Sequence, residues 1–450
     1  MGIWYQEAVF YHIYPLGMMG APKENKEQKV THSLRDLFQW ILHIKEMGCT
    51  AIYIGPLFES TTHGYDTGDY MLIDKRLGEN EDFKEFVRLA HEAGIKIVVD
   101  GVFNHTGREF FAFQDIQKNR QSSGYCKWYK GVNFEWNSPY NDGFGYEAWR
   151  NCYELVNLNL REQKVRDYLL DVIRFWIREF DIDGIRLDCA DCLDFDFMKE
   201  MRCITGKEKK DFWLMGEVIH GDYGRWIGDQ MLHSVTNYEL HKGLYSGHND
   251  HNYFEIAHTI RRQFDEAGGL YKGKTLYSFV DNHDVDRIMS KLKNKGHVFP
   301  VYTLLYTLPG VPSLYYGAEW GVEGIKKGPS DDELRSQLNL DEMKKMNPHP
   351  KLTDYIRRLG QLRKENPVLA EGRYKELVLT NRQYAFARIL GEKAVLTAVN
   401  NDEKPARISI PLFLDAGICE DALTKENISI KNGCIEIELE ACGSMIININ

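Results

Sequence analysis

Apolar positions over the first 365 residues fall into two alternating textures, short runs and longer stretches with a helical repeat. The short runs predict strands at 8–14, 49–54, 95–100, a segment ending at Asp188, 212–216, 234–236, 275–280 and 311–316. The run at 95–100 is almost continuously apolar, as a parallel strand buried on both faces should be. Between the strands, helical spacing predicts helices at 33–47, 81–93, 162–180, 195–204, 254–267, 299–308 and 353–365, with a further helical piece beginning near Tyr223. Ser33 and Asp36 resemble an N-terminal capping box for the first of these. Residues 55–70 read as a polar loop, and 16–30 as a glycine-, proline- and lysine-rich one.

Eight strand–helix units at this spacing favour an α/β fold of the (β/α)8, TIM-barrel type over an open doubly wound sheet. Two stretches break the rhythm. Residues 105–160 form a long aromatic-, glycine- and asparagine-rich excursion after the third strand, expected to be an inserted domain B. From Pro367 onward, short alternating runs at 383–389, 393–399, 406–410, 435–439 and 445–449 predict a C-terminal antiparallel β-sandwich. The expected division is therefore 1–104 with 161–366 as barrel, 105–160 as insertion and 367–450 as C-terminal domain.

Composition narrows the function. Of 450 residues, 43% are apolar and 27% charged, ordinary for a globular chain. A formal charge of -10 argues against a general nucleic-acid binder, which needs a basic footprint. No signal-like leader and no run of about 18 apolar residues is present, so neither export nor a membrane partner is expected. The nine cysteines are odd in number and form no compact framework. Cys189-x-x-Cys192 has no second pair to complete a zinc site, and the cysteine usage is read as that of a reducing cytosol.

The candidate chemistry lies at strand ends. In a barrel those ends share one mouth. Asp100, Asp188, Glu217 and Asp284 follow the third, fourth, fifth and seventh predicted strands, so only the fold brings them together. Arg186 and Asp188, two apart on a strand, face the same way, and the arginine is expected to keep the aspartate ionised. Glycosidic cleavage needs one carboxylic acid and one carboxylate. Asp188 suits the nucleophile and Glu217 the acid, its pKa raised by neighbours such as Trp213 and Leu214. Asp284 suits the stabiliser of developing positive charge, with His105 and His283 donating to ring hydroxyls and Asp100 orienting Arg186. Tyr65 reads either as a sugar-stacking ring or as a turn tyrosine. Asp331 with Arg335 reads as a grip on the next sugar or as an i,i+4 surface pair. Trp128, Trp136 and Trp149 are candidate platforms.

These motifs together resemble the α-amylase superfamily, glycoside hydrolase family 13. The resemblance is carried by Asp100-Gly101-Val102-Phe103-Asn104-His105, Gly184 to Asp188, Glu217 and Phe279 to Asp284, with Gly55-Pro56-Leu57-Phe58 and Gly310 to Gly317 beside them. It implies a retaining double displacement on α-glucosidic bonds, with Asp188 as nucleophile, Glu217 as acid and base and Asp284 as stabiliser. It also gives Tyr65, His105, Arg186, His283, Asp331 and Arg335 substrate-binding roles. Arg186 to Asp191 and Glu217-Val218-Ile219-His220 look closest to cyclomaltodextrinases, neopullulanases and maltogenic amylases, which adds His220 to the substrate contacts. Cys192 and Asn157 depart from that group's pattern. Its N-terminal dimerisation domain is absent from the sequence, so a monomer or weak homo-oligomer is expected.

The implied substrates are α-1,4-linked maltooligosaccharides, maltodextrins or cyclodextrins, with α-1,6 bonds also admitted. The alternatives are a glucanotransferase, an α-glucosidase-type relative, or an inactive carbohydrate-binding protein. No cofactor is required on this reading, although the resemblance admits calcium at Asn104 and domain B oxygens. A cytoplasmic location is expected.

Overall fold

The computed structural model describes residues 3–26, 32–328, 330–411, 413 and 419–449. Eight parallel strands form its centre: β1 (Phe10–Ile13), β2 (Ala51–Ile54), β3 (Lys96–Gly101), β4 (Gly184–Leu187), β5 (Trp213–Gly216), β6 (Ser234–Val235), β7 (Tyr277–Phe279) and β8 (Val311–Tyr315). They run in the order β6-β5-β4-β3-β2-β1-β8-β7, and a parallel bridge between Thr236 and Tyr277 closes the ring. The TIM-barrel expectation holds.

Alternation along each strand splits its side chains between two cores. Phe10, Tyr53, Val98, Trp213, Met215, Tyr277, Phe279 and Val311 fill the barrel interior. The intervening residues, such as Ile52, Val99, Ile185 and Leu214, face the surrounding helices. Register then decides which polar groups meet: Asp100 lies opposite Arg186 across β3 and β4, and Arg186 opposite Met215 across β4 and β5. Gly55, just past β2, permits close approach there, because a Cβ would meet that of Asp100 at 2.5 Å.

The longest predicted helix is Gln163–Phe180, burying Val165, Leu169, Val172, Ile173 and Trp176 as its spacing foretold. It ends at Asp181, whose φ of 54° is left-handed. Four local expectations are corrected. Residues 55–70 are not all loop, because Phe58–Ser60 pairs with Thr67–Ile73 as a hairpin. The first helix begins as a 3-10 turn, Leu34–Leu37, where Ser33 accepts from the Arg35 N–H and also donates to Asp82 instead of forming a box with Asp36. The reciprocal box belongs to Asn80–Glu92, between Glu79 and Asp82. Near Tyr223 there is only a turn, Tyr223–Arg225, and the helix lies further on at Tyr238–Asn249. The end of the predicted 16–30 loop lies outside the described residues, and Pro15–Met18 within it is a helical turn.

In the excursion, His105–Thr106, Cys152–Asn157 and Ala148–Trp149 form a small antiparallel sheet, joined by the helix Phe111–Asn119. At the C-terminal end a five-stranded antiparallel sheet, with Gln383–Leu390 and Lys393–Asn400 near its centre, faces a three-stranded one containing Ala406–Pro411 and Cys434–Leu439. Between them Ala385, Leu396, Ile410, Ile437 and Ile447 form a core, the sandwich the alternation predicts. Among the described residues no helix is long and apolar enough to cross a membrane.

Candidate active site

The segments that follow six of the barrel strands deliver polar side chains to one cavity of about 1090 Å³ at the barrel mouth. Asp188, Glu217, Asp284, Tyr65, His105, His220, Asp331 and Arg335 all line it. Beneath them lies Arg186, buried and outside the lining. Its Nη1 donates to Asp100 Oδ1 at 2.8 Å and Asp188 Oδ1 at 2.9 Å, and its Nη2 lies 2.8 Å from Glu217 Oε2. One guanidinium thus serves three carboxylates. Asp100 also stays under the floor, 1% exposed, accepting from the hydroxyls of Tyr53 and Tyr65 at 2.9 and 3.0 Å.

Glu217 is tied down from the backbone as well. The N–H of Cys189, a residue held at φ 36°, donates to Glu217 Oε2 at 3.1 Å, and the Tyr238 hydroxyl to Oε1 at 3.2 Å. Across the cavity, Asp284 accepts from Arg335 Nη2 at 3.2 Å and lies 3.0 Å from His283 Nε2. Arg335 also donates to Asp331 Oδ2 at 3.0 Å and to the His283 carbonyl at 3.1 Å. The Asp331–Arg335 pair is therefore part of the site and not a free surface pair.

Electrostatics separate the carboxylates. Burial pushes Asp188 up to about 8, with Arg186 pulling the other way and the Glu217 and Asp100 charges adding to the rise. Arg186 favours the ionised Asp188, as expected from their spacing, but that cation is shared three ways and does not offset burial. Asp284 behaves oppositely. Burial would raise it, but His283, Arg335 and Arg186 hold it well below the carboxylate range. Burial also depresses His105 to about 3, keeping a neutral ring, and among the described residues no hydrogen bond to its Nε2 is formed. A buried unpaired nitrogen at the cavity wall is suited to a ligand hydroxyl.

His283 is itself 1% exposed and lies behind Asp284, with Nε2 2.5 Å from the Tyr65 oxygen, so it does not line the cavity. Tyr65 stacks on that imidazole at 5.6 Å. His220 is exposed at the rim. Of the three tryptophans only Trp149 lines the cavity, while Trp128 packs on Phe111 and Tyr168, and Trp136 lies exposed elsewhere. Sequence reasoning assigned no role to Tyr238, Tyr14, whose hydroxyl receives Arg335 Nη1 at 3.2 Å, or the Cys189 amide.

Asn104 is buried, with its side-chain nitrogen directed to His105 Nδ1 and Asn157 Oδ1, both at 3.3 Å. Among the described residues one group of His, Cys and acidic ligand atoms lies within 4.8 Å: His105, Asp188 and Cys189. Nitrogen, sulfur and a single carboxylate do not make the oxygen cage calcium requires.

A profile described as "Alpha amylase, catalytic domain" matches residues 24–365. The chain belongs to this family. As an α-amylase family member it is a glycoside hydrolase. The cyclomaltodextrinase of Thermoanaerobacter pseudethanolicus is 29% identical over 89% of this chain and 71% of its own length. The intracellular maltogenic amylase of Bacillus subtilis is 28% identical over 90% of this chain and 70% of its own. The acarbose-soaked crystal structure of the Nostoc punctiforme debranching enzyme superposes with a TM-score of 0.84 at 27% identity, covering 99% of this chain and 98% of that one.

Proposed function

We propose that the protein is a retaining α-glucoside hydrolase that cleaves α-1,4-linked maltooligosaccharides, maltodextrins or cyclodextrins, and α-1,6 bonds as well. The observation that carries this reading is Arg186 bonding Asp188 and Glu217 on its two terminal nitrogens, at 2.9 and 2.8 Å. That arrangement fits carboxyl groups about 5 Å apart, as in retaining enzymes, better than the gap of about 6.5–9.5 Å that inverting enzymes leave for water. Debranching activity in the Nostoc relative's name supports the α-1,6 extension.

The double displacement starts with a proton on Glu217. From there it passes to the glycosidic oxygen as that bond breaks, while the ionised Asp188 attacks the anomeric carbon. Glu217, now a base, takes a proton from water, whose oxygen displaces Asp188 and restores both groups. Asp284, held ionised, stabilises the positive charge developing on the ring. His105 Nε2 faces a sugar hydroxyl, His220 contacts the substrate at the rim, and the Asp331–Arg335 pair bounds the neighbouring subsite. His283 acts through Asp284 and Tyr65 as a positioning residue, as Asp100 does through Arg186.

A cytoplasmic location is supported by nine free cysteines and by the intracellular Bacillus relative. Finding the mature protein outside the cell would contradict it.

The test is a product time course on maltohexaose, β-cyclodextrin and pullulan, with the anomeric configuration read at early times. Short linear maltooligosaccharides of retained α-configuration are expected. Initial β-products would sink the double displacement, and three intact substrates would remove the glucan assignment. Glu217→Gln should lower kcat by at least about 100-fold while still binding maltohexaose; undiminished turnover would refute its role as acid.

A further inference from the structure

Cys189 and Cys192 bracket one 3-10 turn, Ala190–Cys192, directly after the carboxylate assigned as nucleophile. The Cys192 N–H donates to the Cys189 carbonyl at 2.9 Å. A closed turn of this kind keeps its end Cα atoms within about 7 Å, a separation that a disulfide can span. Cys192 is exposed, whereas Cys189 is buried against the cavity.

Cys189 touches both members of the catalytic pair. Its thiol donates to Asp188 Oδ2 at 3.3 Å, and its N–H to Glu217 Oε2 at 3.1 Å. Nothing in the double displacement uses either sulfur.

We propose that Cys189 and Cys192 form a reversible disulfide that switches hydrolysis off under oxidising conditions, with a small-molecule disulfide as the oxidant. The inference rests on the assignment of Asp188 and Glu217 above. Cys192 is the attacking sulfur, because it is exposed while Cys189 is buried. Its thiolate attacks one sulfur of the oxidant, breaking that S–S bond and releasing a thiolate. The Cys189 sulfur then attacks Cys192 in the mixed disulfide. The second small thiolate leaves and takes up the Cys189 proton, so two protein thiols are oxidised and one small disulfide is reduced to two thiols.

Two consequences follow at the site. The hydrogen that Cys189 gave to Asp188 is lost, and its sulfur is drawn toward Cys192. Twisting of the turn then displaces the backbone donor that fixes Glu217, and a misplacement of about 1 Å can cost about 100-fold in rate.

The test equilibrates the full chain in buffers of varied glutathione to glutathione-disulfide ratio, then reads maltohexaose turnover and peptide masses together. Loss of two hydrogens within the peptide holding both cysteines should track a fall in kcat of about 100-fold, reversed by dithiothreitol. Cys192→Ser should retain the turnover of the reduced enzyme and keep it in the most oxidising buffer. The proposal is overturned if Cys192→Ser loses turnover as the parent does, if both thiols stay free while activity falls, or if the disulfide forms with kcat unchanged. A reduced enzyme inert on every glucan would count against the function instead, since the peptide masses report the disulfide independently of turnover.

Discussion

Arg186 has only one positive charge to divide among Asp100, Asp188 and Glu217. The shortage appears in Asp188, whose carboxyl burial lifts from about 3.8 to about 8. Between those values the folded protein binds more protons at this position than the unfolded chain does. The contribution to stability is therefore complete at low pH and lost as pH rises through about 8. Urea denaturation at pH 5 and pH 8.5 should show Asp188→Asn losing less stability over that interval than the parent, and parallel losses would refute the shift. The residues in this prediction were legible in the sequence, because Arg186, Asp188 and Glu217 stand at strand ends that a barrel must bring together. Tyr238 and the Cys189 amide were not. A tyrosine opening an unrecognised helix and a backbone N–H carry no sign in the sequence of the carboxylate they reach.

Elements explain which parts of the pattern could be read. Gln163–Phe180 announced itself because its buried face is aliphatic and aromatic at helical spacing. Tyr238–Asn249 buries Leu240, His241, Gly243, Leu244, Gly247 and His248, so four of these six inner positions are glycine or histidine and the apolar repeat disappears. Gly247 sits there because its helix lies close to Ile256, whose side chain a Cβ would meet at 3.1 Å. The junction between β3 and β4 is held by an aspartate that the sequence did not single out. Asp183, 2% exposed, lies 2.7 Å from His91 Nε2, accepts from Lys96 Nζ and the Ile97 N–H at 2.9 Å each, and lies 3.1 Å from Lys209 Nζ. Burial would raise its pKa, but the His91 hydrogen bond, the Lys209 charge and the Ile97 N–H hold it far below the usual range. For a depressed carboxyl the stability is present above the unfolded value and lost as pH falls through the folded one. Asp183→Asn should cost about 3 kcal/mol at pH 7, with the gap to the parent beginning to narrow only as pH falls below about 4. Thermal melts across that range check it, and a gap independent of pH would exclude the ionic account.

At the scale of the molecule, the barrel and the sandwich share a core. Tyr374, Tyr384, Phe386 and Val395 of the C-terminal sheet join the cluster that lines the outside of the barrel. Sequence texture told the two folds apart by period, 3.6 against 2, but could not show how they are fastened, since the fasteners are arginines that read as surface charge. Arg363 donates to the carbonyls of Tyr306 at 2.8 Å, Leu308 at 3.3 Å and Gly310 at 2.6 Å, bracing the approach to β8. Arg388 crosses between the units, donating to Gly372 and Ala370 on one side and to the Thr307 carbonyl of the barrel helix Val298–Thr307 on the other. Neither has a carboxylate partner among the described residues, and burial lowers Arg363 to about 10 and Arg388 well below its usual value. What justifies a buried cation here is geometry: one planar fork reaches three carbonyls that no apolar side chain could satisfy. Arg388→Met keeps much of the bulk but orphans those acceptors, so it should destabilise the whole chain by about 3–5 kcal/mol in a single transition. Calorimetry that resolves an early, separate melting of the C-terminal unit would mean that Arg388 fastens only the docking, and that the shared core does not couple the two folds.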